Sequence, residues 1–197
     1  MRVDLGGVVR HYIAQHRARA RAELDSFRGE QSFVAAVRRA GLARQADGRR
    51  FTHQWRAAPG ELEAACERLV GAATALAATS DFAKLFEVVR TAVGDQAAVG
   101  EMYLYDTSLR IAAYKGTLPE QVYLHEGARR GARALGLDVE DRSSLSMHEL
   151  PAELHALEPH EVEDVLCIYE DHFAGNLALE DERACWTDEE ITEVEAR

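Results

Sequence analysis

Apolar residues recur at spacings of three and four along almost the whole chain, while Val/Ile runs that alternate like strands are scarce. That pattern restricts the fold to packed helices. Val9, Ile13, His16, Ala20, Leu24 and Phe27 mark one helical face, with an arginine stripe (Arg10, Arg17, Arg21, Arg28) beside it. Gly29 is expected to end that helix and Ser32 to cap the next, with Phe33, Val37 and Ala40 inward and Gly41 as the stop. Pro59 suits the first turn of a long helix that turns Leu62, Cys66, Leu69, Ala73 and Leu76 inward. Ser80 is a candidate cap before Phe82, Leu85, Phe86 and Val89. Leu150, Leu154 and Leu157 suggest a short helix. Pro159 opens another that carries Val162, Val165, Leu166, Tyr169 and Phe173, and Thr187 to Glu190 read as the first turn of a terminal one. The expected fold is all-α: one multi-helix globular domain over 1–197.

Composition narrows the class. With 47% apolar residues in 197, a substantial core is affordable by size. The longest small-apolar run, Leu69 to Ala78, is too short and too interrupted to span a bilayer. No basic-then-apolar leader is evident, so no membrane partner and a cytoplasmic location are expected. Cys66, Cys167 and Cys185 form no CxxC pair, which argues against a disulfide framework, a zinc ribbon or a four-cysteine cluster. The net charge of −11 is uneven. Residues 1–56 carry 12 basic and 5 acidic side chains, whereas 138–197 carry 3 and 19. A basic N-terminal helical region and an acidic C-terminal one follow. The acidic region is either a solvated helical surface or a face for a basic protein partner.

The middle of the chain, 92–137, carries the most specific signal. Gly94 and Gly100 flank a short turn, and Glu101 to Lys115 read as a mostly buried helix ended by Gly116. Thr117-Leu118-Pro119 breaks the chain, and a second helix is expected from Glu120 to Leu135, stopped by Gly136. Gly127 and Gly131 lie one turn apart and permit the close approach of another helix. Ala98-Val99-Gly100, then Val122-Tyr123-Leu124-His125, then Arg130 to Leu137 is an order that resembles the helix-hairpin-helix DNA glycosylase superfamily. There a glycine hairpin precedes a buried helix, a Val-Asp-Thr-His segment and an arginine-bearing helix ending in Leu-Gly. The resemblance implies a central helix-hairpin-helix unit and DNA as partner. Phosphates would be held by the Val99-Gly100 turn, with Arg129, Arg130 and Arg133 nearby. The family's catalytic Asp falls at Tyr123 and its lyase Lys near Met102, so the implied activity is DNA binding with base excision altered or lost. Asp106 and Glu126 are the nearest stand-in carboxylates. No cofactor is implied.

Other residues offer weaker signals. His53-Gln54-Trp55-Arg56, after Arg49 and Arg50, sets an aromatic among cations, and Gln54, Trp55 and Arg56 are candidate base-side contacts. The alternative is a Trp that anchors a loop. His155, His160, Glu163, Asp164, Asp171 and His172 contain no HExxH-like motif, so a solvated acidic helix without a metal is expected. A metal-dependent enzyme centred on His125, His160 and Asp164 is a third reading. Ser143, Ser144 and Ser146 lack a nucleophile-elbow context, and Cys167 falls in an apolar helix. The leading expectation is a DNA-binding protein of the helix-hairpin-helix glycosylase type, acting in base excision or damage recognition. A non-catalytic helical interaction or regulatory protein with a basic partner is the alternative.

Overall fold

The computed structural model describes residues 3–51, 59–96 and 99–179. It is 65% helix and 4% strand, so the all-α expectation holds. Ten α-helices occur among the described residues: α1 (Leu5–Gln15), α2 (Arg17–Arg28), α3 (Phe33–Gly41), α4 (Pro59–Gly71), α5 (Ala73–Ala78), α6 (Phe82–Val93), α7 (Glu101–Lys115), α8 (Glu126–Ala134), α9 (Pro159–Ile168) and α10 (Glu170–Phe173). Contacts divide the chain into two compact units, one of Met1–Ala20 with Pro119–Arg197, the other of Arg21–Leu118. These limits differ from the charge-based regions, and they divide 92–137 at 118/119. No described helix is long and apolar enough to cross a membrane.

The Arg21–Leu118 unit is built around α7. Tyr103 to Tyr105, Thr107, Ser108 and Arg110 to Ala113 are buried, so nearly every side of the helix faces protein, as its apolar sequence predicts. Helices α3 and α6 pack on it. The Tyr103 hydroxyl donates to the Gly41 carbonyl at 2.7 Å. Arg110 is buried because Nε reaches Glu23 at 2.8 Å and its guanidinium lies 3.7 Å from the Phe51 ring centroid. Gly116 ends α7 in the left-handed region at φ 73°, a conformation that glycine adopts without a β-carbon penalty. Ser32 caps α3, accepting from Ala35 N at 3.2 Å. The cap of α6 is Asp81 rather than Ser80: its carboxylate accepts from Lys84 N at 2.9 Å, and Ser80 donates to that carboxylate.

The other unit buries Val8, Val9 and Tyr12 of α1 with Val122, Leu124, Leu145, Leu154, Leu157, Val162, Val165, Leu166 and Tyr169. Three helices are shorter than their apolar spacing predicts. The first face is divided at His16 into α1 and α2, the long helix after Pro59 breaks at Ala72, and the helix after Pro159 breaks at Tyr169. The expected Glu120–Leu135 helix starts later. Val122–Tyr123 forms a short strand β1, antiparallel to β2 (Ser144–Leu145). Val122 is wholly buried in that pairing, and His125 then caps α8. Tertiary pairing overrides the helical reading of Glu120 to Leu124. In place of a helix, the Leu150–Leu157 segment holds one short 3-10 turn, 152–156, and a second, 147–149, precedes it.

Gly131 sets the distance between α8 and α9. A β-carbon there would lie 1.9 Å from the Leu166 carbonyl oxygen, so only glycine admits this crossing. The one-turn Gly127–Gly131 spacing therefore does what the sequence suggests.

Candidate functional site

Two places carry chemistry. One is the start of α7. Gly100 is its N-cap, extended at φ −88° and ψ 173°, and as a glycine it brings no side-chain cap of its own. Gly100 is exposed, and a β-carbon on it would meet nothing within 4 Å. Helix α6 ends at Val93 and packs against α7. The amide groups of a helix start suit an anion, although Glu101 in the first turn opposes one. Val99 is half-buried beside Gly100.

The remaining expected contacts are placed unevenly. Gln54, Trp55 and Arg56 lie outside the described residues, as do Ala98 and Cys185. Arg129 is turned inward: Nη1 donates to the carbonyls of Arg142 at 2.6 Å and Val139 at 3.1 Å, and Nη2 to that of Leu124 at 2.8 Å. It ties the 138–142 loop to α8, and its guanidinium is engaged by these carbonyls. Arg130 pairs with Glu170 at 2.6 and 2.7 Å and with Glu126 at 3.2 Å, and these hydrogen bonds raise its pKa above the usual arginine value. Arg133 is exposed and has no partner among the described residues. Asp106 lies 3.5 Å from Arg110, and Glu126 is an exposed partner of Arg130. These two carboxylates belong to different units. Tyr123 sits half-buried on β1.

The second place lies between α8 and α9. The His125 side chain caps α8, its Nδ1 accepting from Gly127 N at 3.2 Å. That bond fixes the tautomer: Nε2 carries the proton and donates it to Glu163 Oε1. Both groups are 5% exposed. Cys167, one turn along α9 from Glu163, brings its sulfur into the same spot, and the imidazole nitrogen, carboxylate oxygen and thiol sulfur lie within 4.8 Å of one another. Gly127 makes room, since a β-carbon there would stand 2.7 Å from Cys167 Sγ. In a thiol-nucleophile triad the ring's two nitrogens face the thiol and the acid. Here Nδ1 is occupied by a backbone amide.

This arrangement corrects the acidic-helix expectation. Glu161 and Glu163 are buried, not solvated. Glu161 receives Arg17 through Nε at 2.7 Å and Nη2 at 2.8 Å, and it accepts from Glu158 N at 3.0 Å as the return half of a capping box. Asp164 accepts from the Tyr12 hydroxyl at 2.7 Å. Burial first, and the Asp164 charge second, raise the Tyr12 pKa far above its ordinary value. The third reading set His125 with His160 and Asp164; the structure brings Glu163 and Cys167 to His125. The missed signal was the i, i+4 spacing of Glu163 and Cys167, opposite a helix whose glycines admit close approach.

On α1, His11 Nδ1 lies 2.8 Å from the Tyr169 hydroxyl. His16 stacks on Tyr12 at 6.1 Å between centroids. Burial, with the His11 and Arg19 charges adding, lowers the His16 pKa below 6.5. A lowered histidine pKa means that the unfolded chain binds the proton more readily. Its contribution is complete above about pH 6.5 and is lost as pH falls through the folded pKa. Urea midpoints measured from pH 7.5 to 5.5 should fall on acidification, and His16→Gln should flatten that slope. An unchanged slope in the variant would remove His16 as the cause.

No protein-family model matches the chain, and comparisons with curated proteins and with solved structures return no match.

Proposed function

We propose that the chain binds the phosphate backbone of DNA at Val99-Gly100, the start of α7, as a helix-hairpin-helix protein of the glycosylase type whose excision chemistry is altered or lost. The observation that carries the reading is Gly100: an exposed, open start to a helix of 15 residues, without a side chain to cap it, at the position where the resembling family holds its hairpin glycine. Charge distribution supports it. Residues 21–118 carry 13 basic and 12 acidic side chains, so the acid excess of the chain lies outside the unit that bears the turn. Tyr123 and Met102 supply neither a carboxylate nor an amine, which favours recognition over excision. The alternative of a basic protein partner loses part of its basis, because Glu161, Glu163 and Asp164 are engaged internally.

Fluorescence anisotropy with duplex, abasic and single-stranded oligonucleotides across a salt series tests the proposal. Gly100→Leu should weaken binding by about tenfold, the loss of one charge-assisted contact, and leave the fold intact because the site is open. Glu101→Lys should tighten binding at low salt and steepen the log–log salt slope by about 1. No binding by the parent chain at low salt, or unchanged affinity in folded Gly100→Leu, would overturn it.

A further inference from the structure

We infer that His125, Glu163 and Cys167 form a site for one divalent cation of borderline softness, with zinc as the reference ion. The inference does not rest on the DNA-binding reading, since it concerns other residues. Imidazole nitrogen, carboxylate oxygen and thiolate sulfur are the donor types zinc takes, and three protein donors with a fourth position left open is the catalytic rather than the structural pattern. The donor atoms already lie within 4.8 Å of one another. Bonds of about 2.0–2.3 Å to one tetrahedral ion would hold them roughly 3.2–3.8 Å apart. Little movement is therefore needed beyond separating His125 Nε2 from Glu163.

The scaffold is fixed independently of any ion. Glu163 and Cys167 share one face of α9, His125 is held at the N-cap of α8, and the Gly131–Leu166 approach sets the helix separation. Gly127 leaves the space that the sulfur fills. Burial makes a paired charge essential here, and a cation would supply it to both the thiolate and the carboxylate.

Loading balances as follows. The Cys167 thiol loses its proton to solvent as the sulfur–metal bond forms. The His125 proton passes from Nε2 to Nδ1, freeing the Nε2 lone pair for the ion. Nδ1 then no longer accepts from Gly127 N, a contact that is long at 3.2 Å. Binding of the aquo cation thus releases one proton from the site and changes no oxidation state.

The test uses the full chain, stripped by a chelator and titrated with Zn2+ and separately with Co2+. The expected result is one ion per chain, with a thiolate-to-cobalt charge-transfer band in the near ultraviolet and tetrahedral visible bands. Cys167→Ser should abolish the charge-transfer band, and Glu163→Gln should weaken binding by on the order of 100-fold. Cys66→Ser and Cys185→Ser should leave the band unchanged. Cys167→Ala, at a partly exposed position, is the second variant if Glu163→Gln fails to fold. Absence of stoichiometric binding, or a band that survives in Cys167→Ser, would overturn the assignment.

Discussion

Gly131→Ala is expected to destabilise the protein by about 3 kcal/mol or more, at the upper end of overpacking effects. The new β-carbon would lie 1.9 Å from the Leu166 carbonyl oxygen, 2.7 Å from its carbonyl carbon and 3.1 Å from its Cα. All three atoms are backbone, so no rotamer change relieves the overlap and α8 must move away from α9. That movement also opens the spot shared by His125, Glu163 and Cys167. Gly60→Ala is the matched control: it is exposed on α4, and a β-carbon there meets nothing within 4 Å. It should be neutral or stabilising by about 0.5–1 kcal/mol, from helix propensity and unfolded-chain entropy. Urea midpoints of the two variants give the comparison. Equal stability in Gly131→Ala and the parent would mean that the helices are not held at this separation.

Glu161→Ala is expected to cost about 3–5 kcal/mol, the range for breaking one side of a buried ion pair. Glu161 is 1% exposed and its two oxygens accept both Arg17 nitrogens and the Glu158 amide. The alanine removes all three interactions and leaves the guanidinium half-buried without its acid. Glu161→Gln keeps an acceptor for the Glu158 amide but loses the bidentate charge match, so its loss should be smaller. Arg17→Met combined with Glu161→Leu should recover much of the stability, because removing both charges also removes their desolvation cost. Chemical denaturation of the single and double variants measures the coupling. Strict additivity would show that the pair contributes nothing as a pair.

Much of the fold is legible in the chain because its helices are amphipathic and punctuated. Ser32, Gly116 and Pro159 each do at a helix end what their chemistry predicts, whereas Gly41 is the last residue of α3 and the left-handed turn after it falls on Ala43. The boundaries that escaped reading depend on distant partners. Val122–Tyr123 becomes a strand because Ser144–Leu145, more than twenty residues on, supplies its hydrogen bonds. His16 and Ala72 interrupt helices at points where the apolar spacing runs on unbroken. The site residues divide in the same way. Gly100 is readable from its place before an apolar helix. Arg129 looks like a surface cation, yet it serves three carbonyls that only the folded loop brings near. The buried acids of α9 resemble a solvated face because their partners, Arg17, Tyr12 and His125, lie far away in sequence.

The discontinuous unit imposes an order on synthesis. Tyr12 and Asp164 are 152 residues apart, and His11 and Tyr169 are 158 apart. Helix α1 therefore leaves the ribosome early, and the burial of Val8, Val9 and Tyr12 is complete only when the later elements, 152–156 and α9 among them, follow. At about 5–20 residues per second, that interval is on the order of 10 s. Residues 21–118, which form one compact unit, are complete well before then. The inserted unit is thus the first able to fold, while the opening helix waits with its apolar face bare. A nascent chain stalled just after residue 118 would hold one finished unit and one unpaired amphipathic helix, the kind of surface that chaperones bind.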